Sequence, residues 1–307
     1  MTSTLPPNDV VRVGVHAGQQ HTDLDAYVRL WQRVEALGYD WVSLFDHFLP
    51  IQSDPTGPCF EGPTLLAYLA AKTSRIRTGL LVTGNTYRHP AVLANVAATL
   101  DHVTGGRLEF GIGAGWFELE HAQYGIDFHT LGTRLAMFRE AAVVVRKLLH
   151  EETTSFQGRY YTLTDARCEP KPLQQPFPLW VGGAGERKTL RVVAESADGW
   201  NMLLPSEEEY RRKLDALAGH CADVGRDPTE IRKSLIFWVV LGDTEAGRGA
   251  ARGARRRAAL RPGRAGRAWV RALSAEQCVE WLLPYLRLGV RDFLVMARPP
   301  RTRRRSS

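Results

Sequence analysis

A histidine that follows an acidic residue is the clearest candidate for proton transfer in this chain. His47 comes directly after Asp46 and the apolar segment Trp41 to Phe45, which predicts that the pair stands at the end of a strand. An imidazole titrates close to neutral pH, so it can protonate a carbonyl or enoate oxygen as a hydride arrives. We therefore interpret His47 as a catalytic residue; a structural histidine bonded to a neighbouring loop is the alternative.

A glycine-rich turn is the clearest candidate for binding a phosphate. Its residues are Gly182, Gly183, Ala184 and Gly185. The turn precedes a helical stretch, and backbone N–H groups together with a helix N-terminus can face a phosphate in such a place. Arg187 and Thr189 can add a charge-assisted contact and a hydroxyl contact. A tight turn without a ligand is the alternative.

Several further residues at predicted strand ends suit a pocket for a large planar cofactor. The cofactor-binding candidates are Thr83, Asn85, Gly113, Ala114 and Gly115, and the candidates for an adjoining substrate pocket are Trp116, His121 and Trp200. Small residues permit close approach of a ring, and the tryptophans supply apolar walls. Asn85 is also typical of a turn. The set lacks the converging His, Asp and Glu side chains of a metal site, so we predict none.

These candidates must be positioned by alternating strands and helices. Apolar segments predict strands at residues 10–15, 41–45, 76–82, 108–111, 179–181, 199–203, 231–241 and 292–296. Helical periodicity predicts helices at residues 24–37, 64–72, 91–102, 131–150, 188–196, 206–224 and 275–288, and a hairpin is predicted at residues 153–163. Eight strands followed, apart from the last, by helical sequence predict a (β/α)₈ TIM barrel with insertions. An open doubly wound sheet is the alternative, but no G-x-G-x-x-G turn follows the first strand.

Length and composition predict a single domain over residues 1–307, with an ordered barrel over about residues 10–297. Hydrophobic residues make up 44% of the chain, enough to bury a core. No apolar run approaches the roughly 20 residues of a membrane span, and the N-terminus lacks a signal-peptide pattern. Four dispersed cysteines do not form a CxxC site or a stapled secreted fold. We predict a cytoplasmic protein with free thiols.

The net charge of +7 comes from two arginine-rich stretches. Residues 248–271 hold nine arginines and residues 298–307 hold five, with no acidic residue in either. The remainder carries 26 basic against 33 acidic residues, a net charge of −7. We therefore expect no specific nucleic-acid binding, and interpret the stretches as a solvated helix face and a tail. A weak polyanion-binding role is the alternative.

The ordered set of motifs resembles the bacterial luciferase-like monooxygenase superfamily. The motifs are Ser43 to Phe48, Thr86 to Pro90, Gly105 to Leu108, Gly111 to Trp116, and Val181 to Glu186 with Thr189 and Leu190. The similarity runs from about Arg12 to Leu241 and resumes from Ser274 to Val295. Within the superfamily, the chain most resembles the branch that depends on coenzyme F420 (8-hydroxy-5-deazaflavin) rather than FMN.

The resemblance implies a barrel enzyme, commonly homodimeric, that transfers a hydride at position C5 or N5 of the cofactor ring. It implies that the glycine-rich turn holds the cofactor phosphate and that His47 contacts the ring or substrate. Cofactor contacts would include Asp46, and a non-prolyl cis peptide near Leu80 and Leu81 would form a bulge behind the ring. The predicted activity is hydride transfer between the deazaflavin and a small organic substrate. The alternatives are an FMN-dependent monooxygenase that uses a flavin hydroperoxide and a non-catalytic flavin-binding barrel.

Two features depart from the pattern of the superfamily. Trp116 stands where some sugar-phosphate-oxidising relatives carry an acid, so their proton donor is not carried over. Residues 246–272 differ in composition from a packed barrel helix, which leaves the substrate unassigned. We interpret Glu118 and Glu120, which follow Trp116, as surface charges on a helix.

Overall fold

A computed structural model describes residues 9–52, 54–242 and 270–297. The basic tail at residues 298–307 lies outside the described residues, as does most of the arginine-rich segment. The predictions made for these two stretches therefore stay predictions.

Parallel strands form a closed barrel in the described chain. The strands are β1 (Arg12–Ala17), β2 (Trp41–Leu44), β3 (Arg77–Gly84), β4 (Leu108–Gly113), β5 (Thr154–Gln157), β6 (Thr162–Ala166), β7 (Leu179–Gly182), β8 (Gly199–Leu203), β9 (Arg232–Leu241), β10 (Val270–Leu273) and β11 (Val290–Ala297). Around the barrel the order is β1, β2, β3, β4, β7, β8, β9 and β11, and β11 pairs back with β1. The predicted eight-stranded barrel is confirmed, and the open sheet is wrong. Strands β5 and β6 form the predicted hairpin apart from the barrel.

Helices follow most of the barrel strands. They are α1 (Leu24–Ala36), α2 (Gly62–Ala70), α3 (Pro90–Thr104), α4 (Glu118–Tyr124), α5 (Leu131–His150), α6 (Thr189–Ser196), α7 (Glu207–Asp223) and α8 (Ala275–Arg287). The barrel strands and the seven predicted helices all occur, with ends that move by two residues at most. Strand β10, which pairs with the second half of β9, is an addition that the sequence pattern does not predict.

The start of α3 shows how local sequence fixes an element. His89 accepts the amide of Ala91 through Nδ1 at 3.2 Å, and Pro90 occupies the first helical position. Gly105 ends the helix in the left-handed conformation, with φ of 64°.

A buried ion network closes the N-terminal end of the barrel. Arg12 donates to Asp292 and to Glu109, each at 2.5 Å, and the Trp180 indole donates to Glu109 at 2.6 Å. Burial opposes the ionisation of Glu109, but the charges of Arg12 and Arg77 outweigh it and hold the pKa of Glu109 at about 2. Apolar side chains fill the barrel above this floor; they are Trp41, Leu81, Trp180, Ile236 and Leu294.

The four cysteines form no disulfide bond, as predicted. Within the described ranges, no helix is both long and apolar enough to cross a lipid bilayer.

Candidate active site

Four neighbouring strands bring the predicted site residues to one end of the barrel. β2, β3, β4 and β7 are consecutive around the barrel and parallel, so their C-terminal ends open at the same mouth. In TIM barrels this is the end at which side chains and loops from several strands converge.

His47 lies just beyond β2 and is paired with a buried carboxylate. Its Nδ1 lies 2.7 Å from Oε1 of Glu120, a residue of α4 that is fully buried. The other carboxylate oxygen accepts the backbone amide of Phe48 at 2.9 Å. Nε2 of His47 makes no hydrogen bond within the described part of the chain, and the side chain is 8% exposed. The pair leaves one imidazole nitrogen available for proton exchange.

The interpretation of Glu120 as a surface charge is wrong, whereas Glu118 is exposed as expected. Burial opposes the ionisation of Glu120, but the hydrogen bond and charge of His47 and the donors Tyr87 and Phe48 outweigh it. They hold the pKa of Glu120 below its usual range. The spacing of Glu118 and Glu120 is the signal in the sequence that the two side chains differ in environment. Residues two apart on a helix point to different sides, so both are not expected on the same face.

Tyr87 forms a cluster with His47 and Glu120, and no sequence pattern singled it out. Its hydroxyl donates to the same Glu120 oxygen and lies 3.3 Å from Nδ1 of His47. Phe48 packs on the Tyr87 ring at 4.9 Å between centroids, and Trp116 presents an edge to His47 at 5.6 Å. The Trp116 side chain is 60% exposed and forms an aromatic surface beside the imidazole.

Asp46 and Thr83 hold the ends of β2 and β3 together. The Thr83 hydroxyl and the Arg88 guanidinium both donate to Asp46 Oδ2 at 2.5 Å. Asp46 is fully buried, and burial raises its pKa against the opposing charge of Arg88. Arg88 also bonds to Glu61. These side chains satisfy one another's hydrogen bonds and charges, so their role is to order the mouth of the barrel.

A bulge in β3 fills space that three glycines leave open. The non-prolyl cis peptide joins Leu81 and Val82, one residue after the predicted position. A Cβ atom on Gly111, Gly113 or Gly182 would lie 2.7 to 2.9 Å from a Val82 methyl group. Gly113 and Gly182 therefore accommodate Val82, whose side chain remains partly exposed at the mouth.

Asn85 stands beside the bulge with an unused acceptor. Its backbone amide donates to Gly113 at 2.9 Å, and its side-chain nitrogen lies 3.4 Å from the Tyr161 hydroxyl. Oδ1 is buried and has no hydrogen-bond partner among the described residues. A buried carbonyl without a donor is costly, so this atom is suited to a ligand N–H group.

The glycine-rich turn is exposed between β7 and α6. Gly183 has φ of 127°, a conformation that favours glycine. Its backbone amide donates to the backbone carbonyl of Asn201 at 3.0 Å. α6 begins at Thr189 with no side chain capping its first amides and no acid in its first turn. Arg187 is exposed beside it. Such a helix start can bind an anion.

Comparison with known proteins identifies the family of this chain. The profile of the family described as luciferase-like monooxygenase matches residues 9–280. The chain belongs to this family. Family membership is consistent with the barrel and with the strand-end motifs from which the resemblance was inferred.

Relatives of this luciferase-like chain include F420-dependent enzymes. The F420-dependent glucose-6-phosphate dehydrogenase of Kineococcus radiotolerans is 36% identical over 69% of this chain and 68% of that enzyme. Its counterpart in Kribbella flavida is 28% identical over 93% of this chain and 92% of that enzyme. An uncharacterised protein of Mycobacterium tuberculosis is 32% identical over 59% of this chain and 66% of its own length, so the chain spans just under two thirds of that relative.

A solved structure of an F420-dependent secondary alcohol dehydrogenase in complex with an F420-acetone adduct has the same fold. It superposes with a TM-score of 0.80 at 20% identity and covers 95% of both chains.

Two predicted pocket residues of this luciferase-like chain are buried, and their polar atoms are already hydrogen-bonded. Trp200 is 1% exposed, stacks on Tyr210 of α7 at 5.7 Å and donates its indole N–H to the Gly183 carbonyl at 2.7 Å. His121 is fully buried, and its ring nitrogens contact the Phe117 carbonyl and the Thr86 hydroxyl, each at 2.8 Å. Neither residue presents a free polar group to a substrate.

Ala114 and Gly115 follow Gly113 at the end of β4 and precede Trp116. Gly115 has φ of 73°, and a Cβ atom there would lie 2.6 Å from the Thr86 hydroxyl. A glycine is therefore needed at this turn for structural reasons, and any contact with a cofactor would be additional.

Proposed function

We propose that this protein is an oxidoreductase that transfers a hydride between coenzyme F420 and a small organic substrate. The observation that carries the proposal is the buried His47–Glu120 pair at the mouth of a luciferase-like barrel. F420-dependent relatives support the choice of deazaflavin. FMN-dependent oxygenation is the second candidate, because the family description is that of a monooxygenase.

The residues at the mouth fit a planar ring that carries a phosphate. The unpartnered Oδ1 of Asn85 suits a ring N–H group, and the partly exposed Val82 offers an apolar support beside it. The phosphate would be held by the amides of the exposed turn and by Arg187. The turn residues concerned are Gly182, Gly183, Ala184 and Gly185; Gly183 would contribute space rather than its amide, because that amide donates to the Asn201 carbonyl. Gly113 and Gly115 would shape the mouth by making room for Val82 and Thr86, and Ala114 would add a small side chain beside the ring. Asp46 and Thr83 would fix the strand ends around it.

His47 would move the proton that accompanies the hydride. The bound deazaflavin supplies a two-electron acceptor or donor for hydride. For an alcohol substrate, Nε2 would take the hydroxyl proton; for a ketone, protonated Nε2 would return it to the oxygen. Trp116 would shield the substrate from water on the exposed side of the imidazole.

Turnover with each cofactor tests this proposal. Oxidised coenzyme F420, which absorbs at about 420 nm, should lose this band in the presence of the protein and a secondary alcohol or sugar phosphate that is a substrate. Reduced coenzyme F420 should regain it with the corresponding ketone or lactone. Oxygen-dependent conversion that requires reduced FMN would favour the monooxygenase instead, and a protein that binds a flavin without any turnover would favour the non-catalytic barrel.

We also propose a homodimer in the cytoplasm. The sequences of α2 and α3 contain one charged residue between them, Asp101, and it is buried. Tyr68, Val92 and Val103 are exposed on these helices. These exposed apolar side chains suit burial against a second copy of this chain, with the Lys72 ammonium group 5.2 Å from the Tyr68 ring centroid. Light scattering of the purified protein measures the oligomeric state.

A further inference from the structure

We propose that Glu120 is a positioning residue that fixes a proton on Nδ1 of His47 and leaves Nε2 to exchange a proton with the substrate. The proposal rests on the proposed function, because it supplies the physical basis for the role of His47 there. Tyr87 takes part as a second donor to the same carboxylate oxygen.

The surroundings of Glu120 keep its carboxylate ionised. Oε1 accepts from Nδ1 of His47 at 2.7 Å and from the Tyr87 hydroxyl, and Oε2 accepts from the Phe48 amide at 2.9 Å. Burial works against the charge of Glu120, but these donors and the charge of His47 lower its pKa. An ionised carboxylate only accepts hydrogen bonds, so each of these three partners must donate.

An acceptor at Nδ1 decides the tautomer of His47. Because the carboxylate of Glu120 has no proton to give, Nδ1 carries a hydrogen in both charge states of the imidazole. The lone pair of neutral His47 is therefore on Nε2, the nitrogen without a partner in the described chain. When Nε2 takes a proton, the positive charge forms beside Glu120, which compensates it.

The other titratable groups near His47 do not replace Glu120 in this role. Burial, together with the hydrogen bond and charge of Glu120, raises the pKa of Tyr87, so its hydroxyl stays protonated. The Cys59 thiol donates to the backbone carbonyl of His47 at 3.4 Å, and burial raises its pKa to about 12. Both groups stay neutral while an imidazole titrates.

The remaining neighbours of His47 hold the ring without exchanging protons. Aromatic rings surround it at 5.3 to 6.1 Å between centroids; they are Phe45, Trp116 and Phe117. The adjacent Asp46 is paired with Arg88 and Thr83, so its charge is already compensated. Within the described residues, Glu120 is the carboxylate that contacts the imidazole.

The ring tautomer of His47 can be measured in the protein without cofactor. Long-range ¹H–¹⁵N correlation spectra separate protonated from unprotonated ring nitrogens, and the spectrum of His47→Gln assigns the signals. Wild-type protein, Glu120→Gln and Glu118→Gln are compared across the histidine titration. Glu118→Gln is the matched control, because it removes the same charge from the same helix at an exposed position.

We expect neutral His47 to be protonated at Nδ1 in wild type and in Glu118→Gln. In Glu120→Gln, the side-chain amide can donate to Nδ1, so the proton should move to Nε2. If Glu120→Gln does not fold, Tyr87→Phe provides the test. Without the Tyr87 hydroxyl, Oε1 of Glu120 accepts a hydrogen bond from His47 alone. The NMR signals of Nδ1 of His47 and of its proton should therefore shift.

A wild-type tautomer in Glu120→Gln would overturn the proposal, and so would unchanged His47 signals in Tyr87→Phe. These results do not depend on turnover, so they are separate from a failure of the proposed function. With cofactor and substrate, Glu120→Gln should lower kcat by about 100-fold or more and change cofactor affinity by less than about threefold. Equal losses in Glu118→Gln and Glu120→Gln would point to surface charge and contradict a positioning role.

Discussion

Two histidines at the mouth of the barrel differ in chemistry because their partners differ. His16 of β1 and His47 both contact the Phe45 ring, at 6.3 and 5.3 Å between centroids. His16 bonds to the Ser43 hydroxyl at 2.8 Å, and burial lowers its pKa to about 4, so it is neutral at physiological pH. His47 instead contacts the ionised Glu120. Of these two histidines, His47 is therefore the one that we propose to transfer the proton.

Replacement of His47 by alanine tests this assignment. His47→Ala removes the group that carries the proton while leaving the glycine-rich turn intact, so kcat should fall by about 100-fold or more with little change in cofactor affinity. Steady-state kinetics and a cofactor titration separate the two effects. His129→Ala, at an exposed position, is the control. Wild-type turnover in His47→Ala would leave His47 with a structural role.

The site residues show what sequence can predict at this scale. His47 and the glycine-rich turn are recognisable because they directly follow predicted strands. Glu120 is not recognisable as a partner of His47, since their contact joins residues that are 73 positions apart. Trp200 was assigned to the pocket from its position near a strand end, but alternation along β8 points it toward α7 instead.

At the scale of elements, the bulge in β3 depends on glycines in two neighbouring strands. The pairing register between β3 and β4 shifts between Leu80 and Thr83, where Val82 projects over Gly113 and Gly182. Side chains on these glycines would occupy the space of the Val82 methyl groups. The glycines therefore belong to the packing of the strands before any ligand is considered.

Gly182→Ala should destabilise the protein by overpacking this bulge. The added Cβ would lie 2.8 Å from Cγ1 of Val82, and such insertions into a packed region cost about 1–3 kcal/mol. Urea unfolding measures the loss, and Val82→Ala in the same chain should recover part of it. Gly219→Ala in α7 is the control, because open space surrounds that position and alanine favours a helix by about 1 kcal/mol. Equal stability of Gly182→Ala and wild type would contradict the packing role.

The elements themselves were largely predictable from the sequence. Each barrel strand is a short apolar segment and each long helix an amphipathic one, so local patterns locate them. Strand β10 has only four residues, Val270–Leu273, and forms by pairing with β9, so nothing in its own sequence marks it. The position of the bulge depends on contacts between strands, which explains the one-residue error at Leu81 and Val82.

At the scale of the whole molecule, the pH dependence of folding stability should reflect the neutral His16. The folded pKa of about 4 lies below the usual 6.5, so the unfolded chain binds more protons between these values. Stability is therefore complete above pH 6.5 and falls as the pH drops toward 4, by about 3 kcal/mol from this residue.

Urea unfolding at several pH values measures this contribution. In His16→Gln the free energy of unfolding should fall about 3 kcal/mol less than in wild type between pH 6.5 and 4. His129→Gln should follow the wild-type curve, because its side chain is exposed. Parallel curves for wild type and His16→Gln would show that His16 is not held neutral.

The single-domain organisation over residues 1–307 stays a prediction at this scale. The family profile covers residues 9–280, and the described strands close one barrel. The identity of the substrate depends on loops around the mouth, and the sequence of residues 246–272 follows no pattern from which that identity can be derived.

Calorimetric titration with coenzyme F420 and with FMN tests most directly which cofactor this protein uses. The measurement compares wild type with Gly183→Asp and Gly183→Asn. These variants share size and backbone strain at φ of 127° and differ in charge. We expect wild type to bind coenzyme F420 more tightly than FMN. Gly183→Asp should bind coenzyme F420 at least about tenfold more weakly than Gly183→Asn, because a carboxylate would face the phosphate. Tighter binding of FMN, or equal affinities of the two variants for coenzyme F420, would contradict the account.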